Sequence, residues 1–161
     1  MAATFEAEIP EPGDALPLIV AGLPIILVRN SNGEIKAFHN VCRHRGMMVL
    51  GEPCQGLKQF TCPYHAWRYD LSGGLRFARG SEKVKNFPYD SIRLQPVQVD
   101  TLCGFVFTNL DQDAVPMTKR YDGLEAEILA LAPDAPNLVR AHTHHYPLAA
   151  NWKNSVENYS E

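Results

Sequence analysis

The sequence predicts a mainly β fold, an antiparallel sandwich or barrel over residues 1–110, followed by short helices over residues 111–161. Three observations carry this expectation. Short apolar, β-branched runs recur at intervals marked by turn residues as far as Asn109. Two Cys/His pairs, Cys42 with His44 and Cys62 with His65, are spaced too tightly for one face of a helix and read as loop tips. Beyond Leu110 the pattern changes to prolines, a polar stretch and helical apolar spacing.

Residues 16–20 and 25–29 are apolar enough for paired strands. Asn30-Ser31-Asn32-Gly33 then turns the chain into a third strand, 35–38, as a hairpin. The first Cys/His loop follows, with Gly46, Gly51 and Gly56 supplying turns. Residues 59–61 and 66–69 flank the second loop, and Ser72-Gly73-Gly74 turns into 75–77. Residues 97–100 and 104–109 form a last pair, the latter central. Residues 111–119, with Pro116, read as a polar linker. Asp122 with Glu125 three residues on makes a capping-box-like start for a helix to about Leu131. Leu124, Ile128 and Leu131 are its apolar stripe, and Pro133 and Pro136 end it. Residues 138–146 alternate like a strand, which places His142 and His144 on one face and His145 on the other, solvated. Residues 151–161 predict a helix with Asn151 as N-cap and Trp152, Val156 and Tyr159 along one face. This last helix has no C-terminal cap and no basic last turn, so the sequence is expected to be truncated there.

Composition narrows the function classes. The 161 residues are 45% hydrophobic and 20% charged, ordinary for a globular chain with a real core. A net charge of −3 excludes a general affinity for nucleic acid or anionic membrane. No apolar run approaches the ~20 residues of a membrane span, and Glu6, Glu8 and Glu11 do not suit a secretion signal. A cytoplasmic protein is expected. Four cysteines are too few for a disulfide scaffold, and Cys54 and Cys103 read as reduced fillers.

The two pairs carry the chemistry. Two thiolates and two imidazoles suit a Rieske [2Fe–2S] centre, in which the cysteines hold one iron and the histidines the other. They also suit tetrahedral zinc, although zinc modules commonly pair Cys with Cys and His with His, whereas here each loop mixes the two.

Residues 38–80, FHNVCRHRGMMV through CPYHAWRYDLSGGLRFARG, resemble the Rieske domain of the Rieske non-haem iron oxygenases. The resemblance implies a Rieske-type sandwich or barrel with two cluster-binding loops. Cys42 and Cys62 would ligate one iron of a [2Fe–2S] cluster, and His44 and His65 the other. Tyr64 and Trp67 flank the second pair and would shield the cluster. Tyr69 matches a tyrosine that hydrogen-bonds near a ligand cysteine. The respiratory branch is disfavoured, because Met47 and Tyr64 stand where that branch has a disulfide pair and Trp67 where it has a donor serine. Fewer donors to sulfur imply a potential at the low end of the Rieske range, roughly −150 mV.

By the same resemblance, residues 1–110 are the Rieske domain, and residues 111–161 are a linker, a helix and the start of a catalytic domain cut before its mononuclear iron ligands. The implied activity is that of a dioxygenase or monooxygenase whose Fe(II) site lies outside this sequence. The implied partners are a flavin- or ferredoxin-linked reductase, with Arg43 and Arg45 as candidates for its docking face, and further copies of the subunit, commonly a trimer. Glu161 falls at or beside a carboxylate that bridges a cluster histidine, here His65, to an iron ligand of the neighbouring subunit. Aromatic and quaternary ammonium substrates both remain open, the ending ENYSE leaning toward the second. Two other functions stay in view: a stand-alone Rieske ferredoxin, and a structural zinc or interaction module.

Overall fold

In the computed structural model, which describes residues 1–144 and 146–160, nine strands and three short helices are formed. The strands are β1 Ala2–Phe5, β2 Ala15–Val20, β3 Leu23–Arg29, β4 Ile35–His39, β5 Phe60–Thr61, β6 Arg68–Tyr69, β7 Leu75–Phe77, β8 Pro96–Leu102 and β9 Phe105–Asn109. They make two antiparallel sheets. One has six strands in the order β1-β9-β8-β4-β3-β2, and the other three in the order β5-β6-β7. The expected mainly β architecture is therefore what the chain adopts.

The apolar run of β3 sorts the interior. Ile25, Ile26, Leu27 and Val28 are all fully buried, so the strand is covered on both faces. Successive side chains point opposite ways. Ile26 and Val28 join Phe38, Phe60, Tyr69 and Leu94 around Cys42 and Cys62, while Ile25 and Leu27 pack with Ile9, Val97 and Val106. The first of these cores is the floor beneath the Cys/His loops.

Side chains fix the two hairpins expected from sequence. The buried Asn30 Oδ1 accepts from the backbone N–H groups of Asn32 and Glu34 at 2.9 and 3.0 Å, closing the β3–β4 turn. Asp70 Oδ1 does the same for Ser72 and Gly74, both at 2.9 Å, between β6 and β7. Gly73 must be glycine there: its φ is +86°, and a Cβ would lie 2.6 Å from Phe38 Cε1.

Four expectations are corrected. The first strand, β1, has no signal in the local sequence pattern; it is held by a partner about a hundred residues away, pairing with β9 and bringing Phe5 to 4.7 Å from Phe105. The linker 111–119 contains the start of α1, Met117–Arg120, because the Asp100 carboxylate accepts from Met117 N at 2.8 Å. Helix α2, Leu124–Leu131, begins not at an Asp122 cap but after Gly123, whose φ of +84° turns the chain in. Its Leu124 and Ile128 pack against Leu102 and Cys103, whereas Leu131 faces out at 89% exposure. Across 138–146 the described residues form no strand, since alternation without a neighbouring edge has nothing to pair with. His142 and His144 lie with rings 4.6 Å apart, exposed, and His145 lies outside the described residues. In α3, Trp152–Asn158, Asn151 is the N-cap as expected, accepting from Lys153 N at 3.0 Å. Trp152, Val156 and Tyr159 are exposed.

Candidate metal centre

The two Cys/His loops close by the same pattern. In the first, Cys42 N donates to Met47 O at 2.8 Å and Gly46 N to Cys42 O at 3.0 Å. In the second, Cys62 N donates to Trp67 O at 2.8 Å and Ala66 N to Cys62 O at 3.0 Å. The fourth residue after each cysteine is left-handed, Gly46 at φ +73° and Ala66 at φ +55°. A glycine adopts this freely, whereas an alanine costs about 1 kcal/mol. The matched frames present different offsets, since His44 stands two residues after its cysteine and His65 three.

Neighbouring elements hold the loops in place. Asn40, buried at the end of β4, accepts from Val49 N and Leu50 N, each at 2.9 Å, and donates to Leu50 O at 2.6 Å. It staples the far end of the first loop to its start. Tyr69 on β6, the strand that follows the second loop, holds the first loop: its hydroxyl lies 3.2 Å from Cys42 Sγ and accepts from Arg43 N at 3.0 Å. With that oxygen already accepting, the hydroxyl proton is free for the sulfur. Burial raises the Tyr69 phenol well above its usual range, and the bond to Cys42 adds to this, so Tyr69 remains a donor.

Two free buried thiols and two imidazoles converge here. The rings of His44 and His65 meet edge-on, 4.7 Å apart and at 74°. Trp67 stacks on His44 at 4.8 Å and 8°, backed by the edge of Phe87 at 6.1 Å. Tyr64 covers His65 at 3.8 Å but is itself 58% exposed. Burial pushes the Cys42 thiol up; the Tyr69 hydroxyl and the His44 backbone N–H pull it back, and the adjacent Cys62 adds to the rise. Desolvation first, then His44, Arg45 and Arg79, lower the His65 imidazole, favouring its neutral, ligating form.

A metal group with these donors fits the site. His65 Nδ1 and, beside it in the second loop, Trp67 Nε1 are buried with no hydrogen-bond partner, and the imidazole nitrogen is of a type that binds a metal. Among the described residues, no three His, Cys, Asp or Glu side chains are grouped around one ion.

The structure therefore brings together Cys42, His44, Cys62, His65, Tyr64 and Trp67, while Glu161 lies outside the described residues. Sequence reasoning missed Asn40, Phe87 and Arg79 as members of this neighbourhood. The asparagine directly before Val41-Cys42 was the one local sign of a loop staple. A cavity of about 600 Å³ lies between Phe105, Phe107, Met117 and Leu124, and none of these site residues lines it.

A family model of the Rieske [2Fe–2S] domain matches residues 1–88. The chain is 38% identical over 155 residues to the carnitine monooxygenase oxygenase subunit of Escherichia coli K12, covering 96% of this chain and 41% of that protein. It is 35% identical to the glycine betaine monooxygenase oxygenase subunit of Pseudomonas aeruginosa UCBPP-PA14, covering 99% of this chain and 36% of that protein. Its fold superposes on the crystal structure of the quaternary ammonium Rieske monooxygenase CntA with L-carnitine at a TM-score of 0.90 and 31% identity, over all of this chain and 46% of that one. The chain thus spans about two fifths of the length of these relatives.

Proposed function

Because the chain belongs to the Rieske [2Fe–2S] domain family, we propose that it is the electron-transfer part of a Rieske non-haem iron oxygenase acting on a quaternary ammonium substrate. The observation that carries this is the convergence of His65 Nδ1, buried and unpartnered, with His44 and two free thiols on matched loops. The substrate class draws support from the carnitine and glycine betaine monooxygenases that the chain resembles over nearly its whole length. In this reading Cys42 and Cys62 hold one iron and His44 and His65 the other, and residues 111–161 lead into the catalytic domain. Held by these four residues, the cluster would supply one-electron chemistry, with a flavin- or ferredoxin-linked reductase as the donor and a mononuclear iron of the catalytic domain as the acceptor.

The chain's own residues set the terms of that exchange. Tyr69 donates to the Cys42 sulfur and steadies its charge. Trp67 and Phe87 exclude water from the covered face of His44, and Tyr64 leaves the His65 side accessible. Glu161 is assigned the relay toward a neighbouring subunit. In the complete subunit, Glu161→Gln is expected to uncouple cluster oxidation from oxygen use; unchanged coupling rejects that role.

The test of the reading is the metal content and spectrum of the purified chain. Iron and acid-labile sulfide in equal amounts, with a Rieske-type electron paramagnetic signal after one-electron reduction, are expected. A colourless protein containing zinc overturns it.

A further inference from the structure

The cavity of about 600 Å³ follows from strand register. β8 and β9 pair Leu102 with Phe105, Asp100 with Phe107 and Gln98 with Asn109, so these six side chains share one face of the sheet. Helices α1 and α2 close over that face and add Met117, Leu124 and Ile128. The volume is that of a small-molecule site.

Apolar walls here carry two opposite charges. Phe105, packed against Phe5 at 4.7 Å, and Phe107 stand with ring centroids 6.3 Å apart at 43°, an open wedge of aromatic faces. Tyr121 also lines the cavity and is half exposed. Asp100 accepts from Met117 N through Oδ2 at 2.8 Å, and among the described residues its Oδ1 has no hydrogen-bond partner. Arg120 lines the cavity too, and among the described residues neither it nor Asp100 is in an ion pair. The amides at the rim are engaged: Asn109 Oδ1 accepts from Asp111 N at 3.1 Å, and Gln98 Nε2 donates to Gln112 O.

These side chains select a ligand. Aromatic faces beside a carboxylate attract a cation. A primary ammonium brings three N–H donors, too many for one free carboxylate oxygen in an apolar recess, whereas a quaternary ammonium has none to satisfy. Arg120, three residues after Met117, sets a guanidinium one helical turn beyond the Asp100 contact, suited to a carboxylate at the ligand's other end.

We propose that this cavity binds a small zwitterion, its quaternary ammonium group between Phe105, Phe107 and Tyr121 against Asp100, and its carboxylate on Arg120. That is the class of substrate proposed above, reached here from a cavity that none of the metal-centre residues lines. A choline phospholipid also presents a quaternary ammonium group beside an anion, so vesicles form a separate arm of the test.

The probe is γ-butyrobetaine, titrated calorimetrically against the full chain alongside 5,5-dimethylhexanoate, in which carbon replaces the ammonium nitrogen. One equivalent of γ-butyrobetaine is expected to bind, and the isostere about tenfold more weakly. Asp100→Asn, whose amide oxygen still accepts from Met117 N, and Phe107→Leu should each weaken γ-butyrobetaine by about the same factor. Arg120→Gln should weaken γ-butyrobetaine and leave tetramethylammonium unchanged. Thermal unfolding as in wild type shows that a variant is folded, and the isostere comparison needs no variant. No binding at millimolar γ-butyrobetaine overturns the proposal, as does equal affinity for the isostere or indifference to Asp100→Asn. Tighter capture by phosphatidylcholine vesicles than by the free zwitterion also overturns it. Iron and sulfide content tests the electron-transfer reading alone, so the two fail separately.

Discussion

Replacing Tyr69 by Phe removes one hydroxyl and keeps a fully buried ring, so the core beneath the loops is preserved. Two contacts go: the 3.2 Å contact to Cys42 Sγ and the 3.0 Å bond from Arg43 N. A hydrogen bond to a charged acceptor is worth about 1.5–3 kcal/mol. Only the part that differs between oxidised and reduced sulfur affects the potential, about 1 kcal/mol if the reduced form gains roughly half as much again. At about 59 mV per tenfold for a one-electron couple, the potential of Tyr69→Phe should fall by roughly 40 mV. The sign follows because a donor favours the more negative, reduced state, and its loss favours the oxidised one. Arg43 N, partly exposed, should cost a further ~0.5–1 kcal/mol of stability. A redox titration followed by circular dichroism measures the first effect, and thermal unfolding the second. A potential that is unchanged or raised, with the spectrum intact, would falsify the donor role of Tyr69.

Asn40→Ala should cost about 2–4 kcal/mol, because it leaves Val49 N and Leu50 N without their acceptor; denaturant unfolding measures it, and a loss below ~1 kcal/mol would mean the loop closes without the staple. In the glycine series, Gly46→Ala should cost only about 1 kcal/mol, since no atom lies within 4 Å of the new Cβ, whereas Gly13→Ala should cost several times that, its Cβ falling 2.6 Å from Leu57 O. Ala66→Gly should be neutral or slightly stabilising on the same assay, and a marked loss would contradict the strain assigned to φ +55°. Trp67→Leu uncovers His44, so the visible absorption of the loaded chain should bleach faster in air than wild type; an equal rate would show that the indole is not the shield.

What was legible in the sequence was whatever is written locally. The hairpins at Asn30 and Asp70 are closed by side chains within four residues, and the Asn151 cap by a residue two away. The paired loops were readable because ligand type and spacing lie within a few positions. What escaped depends on distant partners. β1 exists because β9 offers an edge, and α1 begins where Asp100, seventeen residues earlier, meets Met117 N. Around the centre, Tyr69 was foreseen by resemblance, but Phe87 and Arg79 approach through a segment whose own sequence carries no sign of the loops it covers.

The equivalence of the two loops also separates two kinds of information in the chain. Closure runs through main-chain atoms of the first, fifth and sixth residues of each loop, and demands only that the fifth tolerate a left-handed backbone. Coordination chemistry is written in side chains at the first position and at the third or fourth. The loop is thus a cassette whose donor can be moved or exchanged without rewriting the bonds that close it, so that the metal preference of such a site can drift while the fold beneath stays unchanged.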